Sequence, residues 1–122
     1  MSQKAAEVFI ANLPADNVPY WDFTFNDRIP DIKDTSAASI FTCGLLELAD
    51  LVDGEAAERY RAIARTIVRS LYDIYFLHDP DRVGVLKGSM FHRNMGSTCT
   101  IWGDYFFHET LVRLQKDWKR YW

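Results

Sequence analysis

One stretch limits the folds open to this chain more than any other: Thr100-Ile101-Trp102-Gly103-Asp104-Tyr105-Phe106-Phe107-His108-Glu109-Thr110-Leu111-Val112-Arg113-Leu114. A polar run of small residues, Ser97-Thr98-Cys99-Thr100, leads into it. Asp104 stands where an N-cap belongs, because a carboxylate suits both the free N–H groups and the positive dipole end of a first turn. Tyr105-Phe106-Phe107 and Leu111-Val112 leave no wide polar face, which implies a helix surrounded by other elements rather than laid on a surface. A buried helix entered through a loop of Ser, Thr, Trp and His forms a pocket floor.

The chain has 122 residues, 48% hydrophobic and 25% charged, which suits one globular domain spanning 1–122. Its net charge is −3 with Lys and Arg scattered, so neither nucleic acid nor an anionic membrane surface is an expected partner. No run approaches the ~20 apolar residues of a membrane span. Met1-Ser2-Gln3-Lys4 lacks the apolar core of a signal peptide, and the sequence leaves the compartment open. Cys43 and Cys99 have no metal-ligand spacing. Reduced, mostly buried thiols are expected, with a disulfide only if the fold brings the two together.

Taken in order, residues 2–12 read as a short helix with Ala5, Ala6, Phe9 and Ile10 on one side, ended by Pro14. A long connection follows to Lys33, interrupted by Pro19 and Pro30 and carrying Tyr20-Trp21-Asp22-Phe23-Thr24-Phe25. Ordered loops of this length are usually functional, although aromatics plugging into the helices below would explain it too. Asp34-Thr35-Ser36 caps a helix to about Val52 whose polar stripe is narrow and small, an inner helix. Asp53-Gly54 turns the chain, with Gly54 free to take a positive φ. From Glu55 to about Leu77, apolar residues recur at three and four while Glu58, Arg61, Arg65, Arg69 and Asp73 hold the other side, an outer helix. Pro80 closes it, and residues 79–100 form a second long connection. Lys116, Lys119 and Arg120 suit a solvated tail, with Trp118, Tyr121 and Trp122 folding back onto the body.

Inner-to-outer connections are thus tight and outer-to-inner connections long. In antiparallel hairpins alternate connections fall at opposite ends. Both long loops therefore belong at one end, above the N-termini of the inner helices, where free N–H groups favour an anionic ligand.

Alternating outer and inner helices resemble part of an (α/α)6 barrel, the six-hairpin glycosidase architecture. Asn12-Leu13-Pro14 through Val18-Pro19-Tyr20-Trp21-Asp22-Phe23, then Asp34-Thr35-Ser36-Ala37-Ala38, then Ile101-Trp102-Gly103-Asp104-Tyr105-Phe106-Phe107 resemble the C-terminal part of glycoside hydrolase family 88. The family's best-known members are the unsaturated glucuronyl hydrolases, and the similarity covers the last third or so of a full-length member. The resemblance implies an all-α fold and action on oligosaccharides bearing a 4,5-unsaturated uronic acid at the non-reducing end. In that chemistry an Asp protonates the vinyl-ether double bond and activates a water, with no metal or cofactor. An ordinary carboxylate pair does not describe it.

No segment here matches the family's catalytic Asp pair or its Trp-Ser-Arg-Gly-Gln-type segment, so no catalytic residue is assigned. Closure of six hairpins takes about twelve helices against about four here, which reads as a C-terminal fragment with open edges. The resemblance places Phe91, in Met90-Phe91-His92, beside the bound sugar as a stacking ring. His92, Ser97, Thr98 and Trp102 line the neighbouring rim, and Trp21 belongs to the facing loop. His108 is expected either in the core or bonded to the Asp104 carboxylate, while capping and bracing explain Asp22, Asp34 and Asp104. Inner helices without polar faces are expected to drive self-association. Two alternatives are a free-standing helical module that binds a partner and a piece of a family 105 unsaturated rhamnogalacturonyl hydrolase. The Trp102-Gly103-Asp104-Tyr105 form favours family 88.

Overall fold

In the computed structural model, which describes residues 1–95 and 97–117, two inner helices lie side by side with two others against their outer side. The inner pair is α2 (Thr35–Ala49) and α4 (Ile101–Gln115). The outer pair is α1 (Gln3–Ala11) and α3 (Gly54–Ser70), and α3 runs on through a π-helical turn, Leu71–Tyr75. A two-residue antiparallel pair, β1 (Ser89–Met90) with β2 (Ser97–Thr98), sets Ser89 against Thr98 and Met90 against Ser97.

The patterns explain these positions. In α2, eleven of fifteen residues are buried, because its small polar side chains satisfy themselves locally. Ser39 Oγ donates to Thr35 O and Thr42 Oγ1 to Ala38 O. Helix α3 buries Ala57, Tyr60, Ala64, Ile67 and Val68 and leaves Glu58, Arg65 and Arg69 exposed, one face wet as its spacing predicts. Leu45, Ile67, Leu71, Leu86 and Phe107 are the large side chains at the centre. Phe9 stacks on Phe41 with ring centroids 3.7 Å apart, and Glu7 pairs with Arg59 and receives the Tyr60 hydroxyl, which fixes α1 across α2 and α3. Helix α3 leaves its regular geometry at Leu71 and the π turn ends at Tyr75, well before Pro80, so the π turn rather than the proline ends it.

The seam between α2 and α4 is polar as well as apolar. Cys43 Sγ lies 2.9 Å from Thr110 Oγ1 and donates to Phe106 O. Arg113 joins Glu109 on its own helix to Glu47 on α2, both at 2.9 Å. Glu109 is 4% exposed. Burial pushes the Cys43 thiol up to about 11, so it is an inert packing group at neutral pH. Cys99 is half-buried, and both cysteines are free.

Three expectations for α4 are corrected. Its N-cap is Thr100, whose hydroxyl accepts from Gly103 N, and Asp104 sits in the first turn. The described residues do not surround the helix. Ile101, Trp102 and Tyr105 are exposed on it. His108 is exposed too, neither a core histidine nor the partner of Asp104. The expected fold-back of Trp118, Tyr121 and Trp122 lies outside the described residues. Among the described residues no helix is long and apolar enough to cross a membrane.

Candidate functional site

The two long loops meet at one end, over the N-termini of α2 and α4. The first loop, residues 14–34, is tied to α2 by Asp34 N donating to Pro19 O and by the bridge between Tyr20 and Lys33. The second, residues 76–100, is tied to the same helix end by Thr35, whose N–H donates to Gly88 O and whose hydroxyl donates to Lys87 O. Thr35 Oγ1 also lies 3.0 Å from Ser89 Oγ. Gly103 allows the approach: a Cβ there would stand 2.9 Å from Ser89 Oγ and Thr100 Oγ1, and 3.2 Å from Ser36 Cβ.

One tyrosine joins both loops to the outer layer. The π turn carries Tyr75 to a position where its hydroxyl donates to Asp16 Oδ2 at 2.7 Å while its carbonyl accepts from Lys87 N at 3.0 Å. Lys33 Nζ reaches Asp16 Oδ1 at 2.8 Å and lies over the Tyr20 ring. Burial works against the Asp16 carboxylate, but Lys33, the Tyr75 hydroxyl and Val18 N–H outweigh it and hold the group below the usual range. The Tyr75 hydroxyl is correspondingly pushed up, by burial first and then by Asp16. Ser70 Oγ donates to Asp16 O, adding a fourth tie.

On this frame the predicted site residues fall into two groups. Phe91 is 61% exposed at the tip of the β1–β2 hairpin and tilts against Trp102 at 5.7 Å between centroids. His92 is exposed beside it, its Nδ1 accepting from Asn94 N at 3.2 Å. Ser97 and Thr98 form β2, and the Thr98 hydroxyl donates to Cys99 O. Trp21 lies across the end on the first loop, at the edge of a cavity of about 330 Å³ lined by Phe9, Tyr20, Phe23 and Ala37 among others. A larger hollow of about 890 Å³ runs along α3 and the far end of α4, away from all of these residues.

Sequence reasoning passed over the residue that links the two groups. Arg93 puts its guanidinium 5.6 Å from the Trp21 ring centroid and 3.5 Å from Asp31 Oδ2, so the second loop reaches the first. A cation four residues after Ser89 announces nothing by itself; only the hairpin's register brings it over Trp21. The anion site expected at the α2 N-terminus is occupied by the chain's own carboxylate. Asp34 Oδ1 accepts from Ser36 N, Ala37 N, Ser36 Oγ and Met90 N. Asp22 closes a local turn through Thr24 N, and Asp104 accepts from Val85 N and Leu86 N. All three aspartates are engaged in structure. Among the described residues no group of three His, Cys, Asp or Glu is arranged to hold a metal ion.

No family model matches the chain. It is 37% identical over 127 residues to the unsaturated glucuronyl hydrolase of Bacillus sp. (strain GL1), covering 99% of this chain and 34% of that protein. The crystal structure of the Bacillus protein superposes with a TM-score of 0.86 at 35% identity, over 93% of this chain and 32% of that one. The unsaturated chondroitin disaccharide hydrolase of Streptococcus pneumoniae is 35% identical over 120 residues, 93% of this chain and 30% of that protein. An unsaturated glucuronyl hydrolase from Streptococcus agalactiae, complexed with dGlcA-GalNAc6S, matches with a TM-score of 0.87 at 31% identity, over 96% and 33%. The chain thus spans about a third of the length of the curated relatives it matches. The resemblance to glycoside hydrolase family 88 is borne out, and the fold is that of part of an (α/α)6 barrel.

Proposed function

We propose that this chain, related to the unsaturated glucuronyl hydrolases over a third of their length, is the C-terminal part of a glycoside hydrolase acting on oligosaccharides with a 4,5-unsaturated uronic acid at the non-reducing end. The observation that most supports this is the near-complete match of its sequence and fold to one portion of those enzymes, with Phe91, Trp102 and Trp21 at the inner-helix N-termini. Phe91 offers a ring face to a sugar's C–H surface. Trp102 backs that ring, and His92, Ser97 and Thr98 form the adjoining rim. The general acid comes from outside this segment, because Asp22, Asp34 and Asp104 are spent on turns, caps and braces. The chain alone, one domain over 1–122, is therefore inactive. It also self-associates through its exposed inner-helix faces, giving oligomers by light scattering; a monodisperse monomer would count against this.

A graft tests the activity. This chain replaces the matching third of the Bacillus relative, and loss of absorbance of the conjugated double bond of an unsaturated uronyl disaccharide is followed. Turnover by the chimera and none by the isolated chain is expected. A folded chimera without turnover would overturn the assignment. So would turnover by the isolated chain that Asp22→Asn, Asp34→Asn or Asp104→Asn abolishes.

A further inference from the structure

The two long loops meet at two junctions of unequal strength. At the outer one, Arg93 lies 3.5 Å from Asp31 Oδ2 and over the Trp21 ring, with 64% of its side chain exposed. An exposed pair at that distance does little to fix a geometry. At the inner junction the phenol of half-buried Tyr75 donates to Asp16 Oδ2 at 2.7 Å, a charge-assisted bond of the stronger class. The other Asp16 oxygen accepts from Lys33 Nζ at 2.8 Å and from Val18 N at 3.2 Å. Asp16 and Lys33 thereby close the base of the loop that carries Trp21.

Tyr75 is also the foundation of the hairpin that carries Phe91. Its carbonyl accepts from Lys87 N at 3.0 Å, and Leu77 N donates to Val85 O at 2.8 Å, on either side of the bridge between Phe76 and Leu86. Gly88 follows at once, buried and at φ +88°, where a Cβ would stand 3.1 Å from Tyr75 Cδ1 and 3.2 Å from Thr35 Cγ2. The Tyr75 ring thus lies against the turn from which Ser89, Met90 and Phe91 depart.

We propose that the Tyr75 hydroxyl is a positioning group: through Asp16 it sets where the Phe91 hairpin stands relative to the Trp21 loop. Its loss removes no group assigned to the sugar. It leaves the two loops joined only by the exposed Arg93 pair, so the Phe91 ring is no longer held at its place. A displaced stacking ring loses uniform binding, which is read in KM rather than in kcat.

The effect on KM rests on the proposed stacking role of Phe91, and the graft keeps the two apart. Tyr75→Phe, which retains the ring against Gly88, is introduced into the chimera alone and together with Phe91→Ala. KM and kcat for the unsaturated uronyl disaccharide are measured well below the melting temperature. Amide exchange is read at Trp21 and Met90, which donate to Ile32 O and Asp34 Oδ1 and so bond to neither Tyr75 nor Asp16. Leu45, fully buried in α2, is the reference. Exchange about fivefold faster at both positions and unchanged at Leu45 is expected. KM should rise about fivefold with kcat within about twofold, and should rise no further on the Phe91→Ala background.

The same exchange pattern in a folded chimera without turnover would uphold the positioning of the loops and overturn the proposed activity. Faster exchange in one loop alone would overturn the positioning role, with or without turnover. In an active chimera, an unchanged KM would overturn it, and so would a KM rise undiminished on the Phe91→Ala background. A fall in kcat alone, the mark of a smaller folded fraction, would overturn it as well. If Tyr75→Phe does not fold, Asp16→Asn takes its place, keeping an acceptor for the phenol without the charge. Smaller changes in the same direction are then expected, and unchanged KM and exchange would overturn the role.

Discussion

The carboxylate of Asp104 accepts the backbone N–H of Leu86 at 2.9 Å through one oxygen and that of Val85 at 2.9 Å through the other. Leu86 is fully buried, so those N–H groups have no easy recourse to water. Asp104→Ala leaves both donors unmet and is expected to destabilise the chain by about 2–3 kcal/mol. Asp104→Asn keeps one acceptor and should cost less. Thermal unfolding of the two variants checks this, together with faster amide exchange at positions 85 and 86. A melting temperature unchanged in Asp104→Ala would mean that the second loop does not depend on the brace.

At Gly103 the expected defect is steric. An added Cβ would fall within 2.9 Å of two hydroxyl oxygens and 3.2 Å of the Ser36 side chain, where α2, α4 and β1 converge. Gly103→Ala must push these elements apart, at about 1–3 kcal/mol. In an open helix the same substitution would stabilise by about 1 kcal/mol, so the sign of the change is diagnostic. A raised melting temperature would show that the helix ends are not in contact.

These two positions also show where the sequence was legible. The inner character of α2 and the outer character of α3 follow from the width of their polar faces, and each folds accordingly. The shared end of the two long loops follows from connectivity alone. The start of α4 does not. Asp104 reads as the cap, yet tertiary contact demands Gly103 inside the first turn and the cap falls at Thr100. Arg93 over Trp21 and Tyr75 on Asp16 join residues far apart in the chain, and no local pattern encodes such pairs. The π turn that delivers Tyr75 changes helix register without any glycine or proline to mark it. His108 belongs to a stripe that the described residues leave uncovered, so its neighbours predicted burial and its structure shows exposure.

Asp16 sets a pH dependence with a definite sign. Its carboxyl lies below the usual range in the folded chain, since Lys33, Tyr75 and Val18 outweigh the burial that opposes ionisation. A depressed carboxyl contributes stability that is present above the unfolded value, about 3.9. That stability is lost as pH falls through the lower folded value. Asp16→Asn should therefore unfold at a lower temperature than the parent at pH 6 to 7, roughly, and the gap should close below about pH 4. A gap that stays constant across this range would mean that the ion pair with Lys33 contributes nothing through ionisation.

The last expectation concerns Phe91 and is measured in the graft. A ring that stacks on the sugar equally in the ground and transition states provides uniform binding, so its loss raises KM and leaves kcat nearly unchanged. Phe91→Ala should raise KM roughly tenfold, equivalent to ~1.4 kcal/mol. Phe91→Tyr keeps the ring face and should be close to silent. The exposure of Phe91, 61%, separates this from a packing role. Removing a side chain this exposed, whose ring tilts against Trp102 at 5.7 Å between centroids, should shift stability by less than about 0.5 kcal/mol. Trp102→Ala removes the support behind the ring and should raise KM in the same direction. If the two residues act as one platform, the double variant should fall short of the sum of the single effects. Unchanged KM with a lowered melting temperature in Phe91→Ala would sink the stacking role, because the ring would then be bracing the hairpin on α4 rather than meeting a sugar.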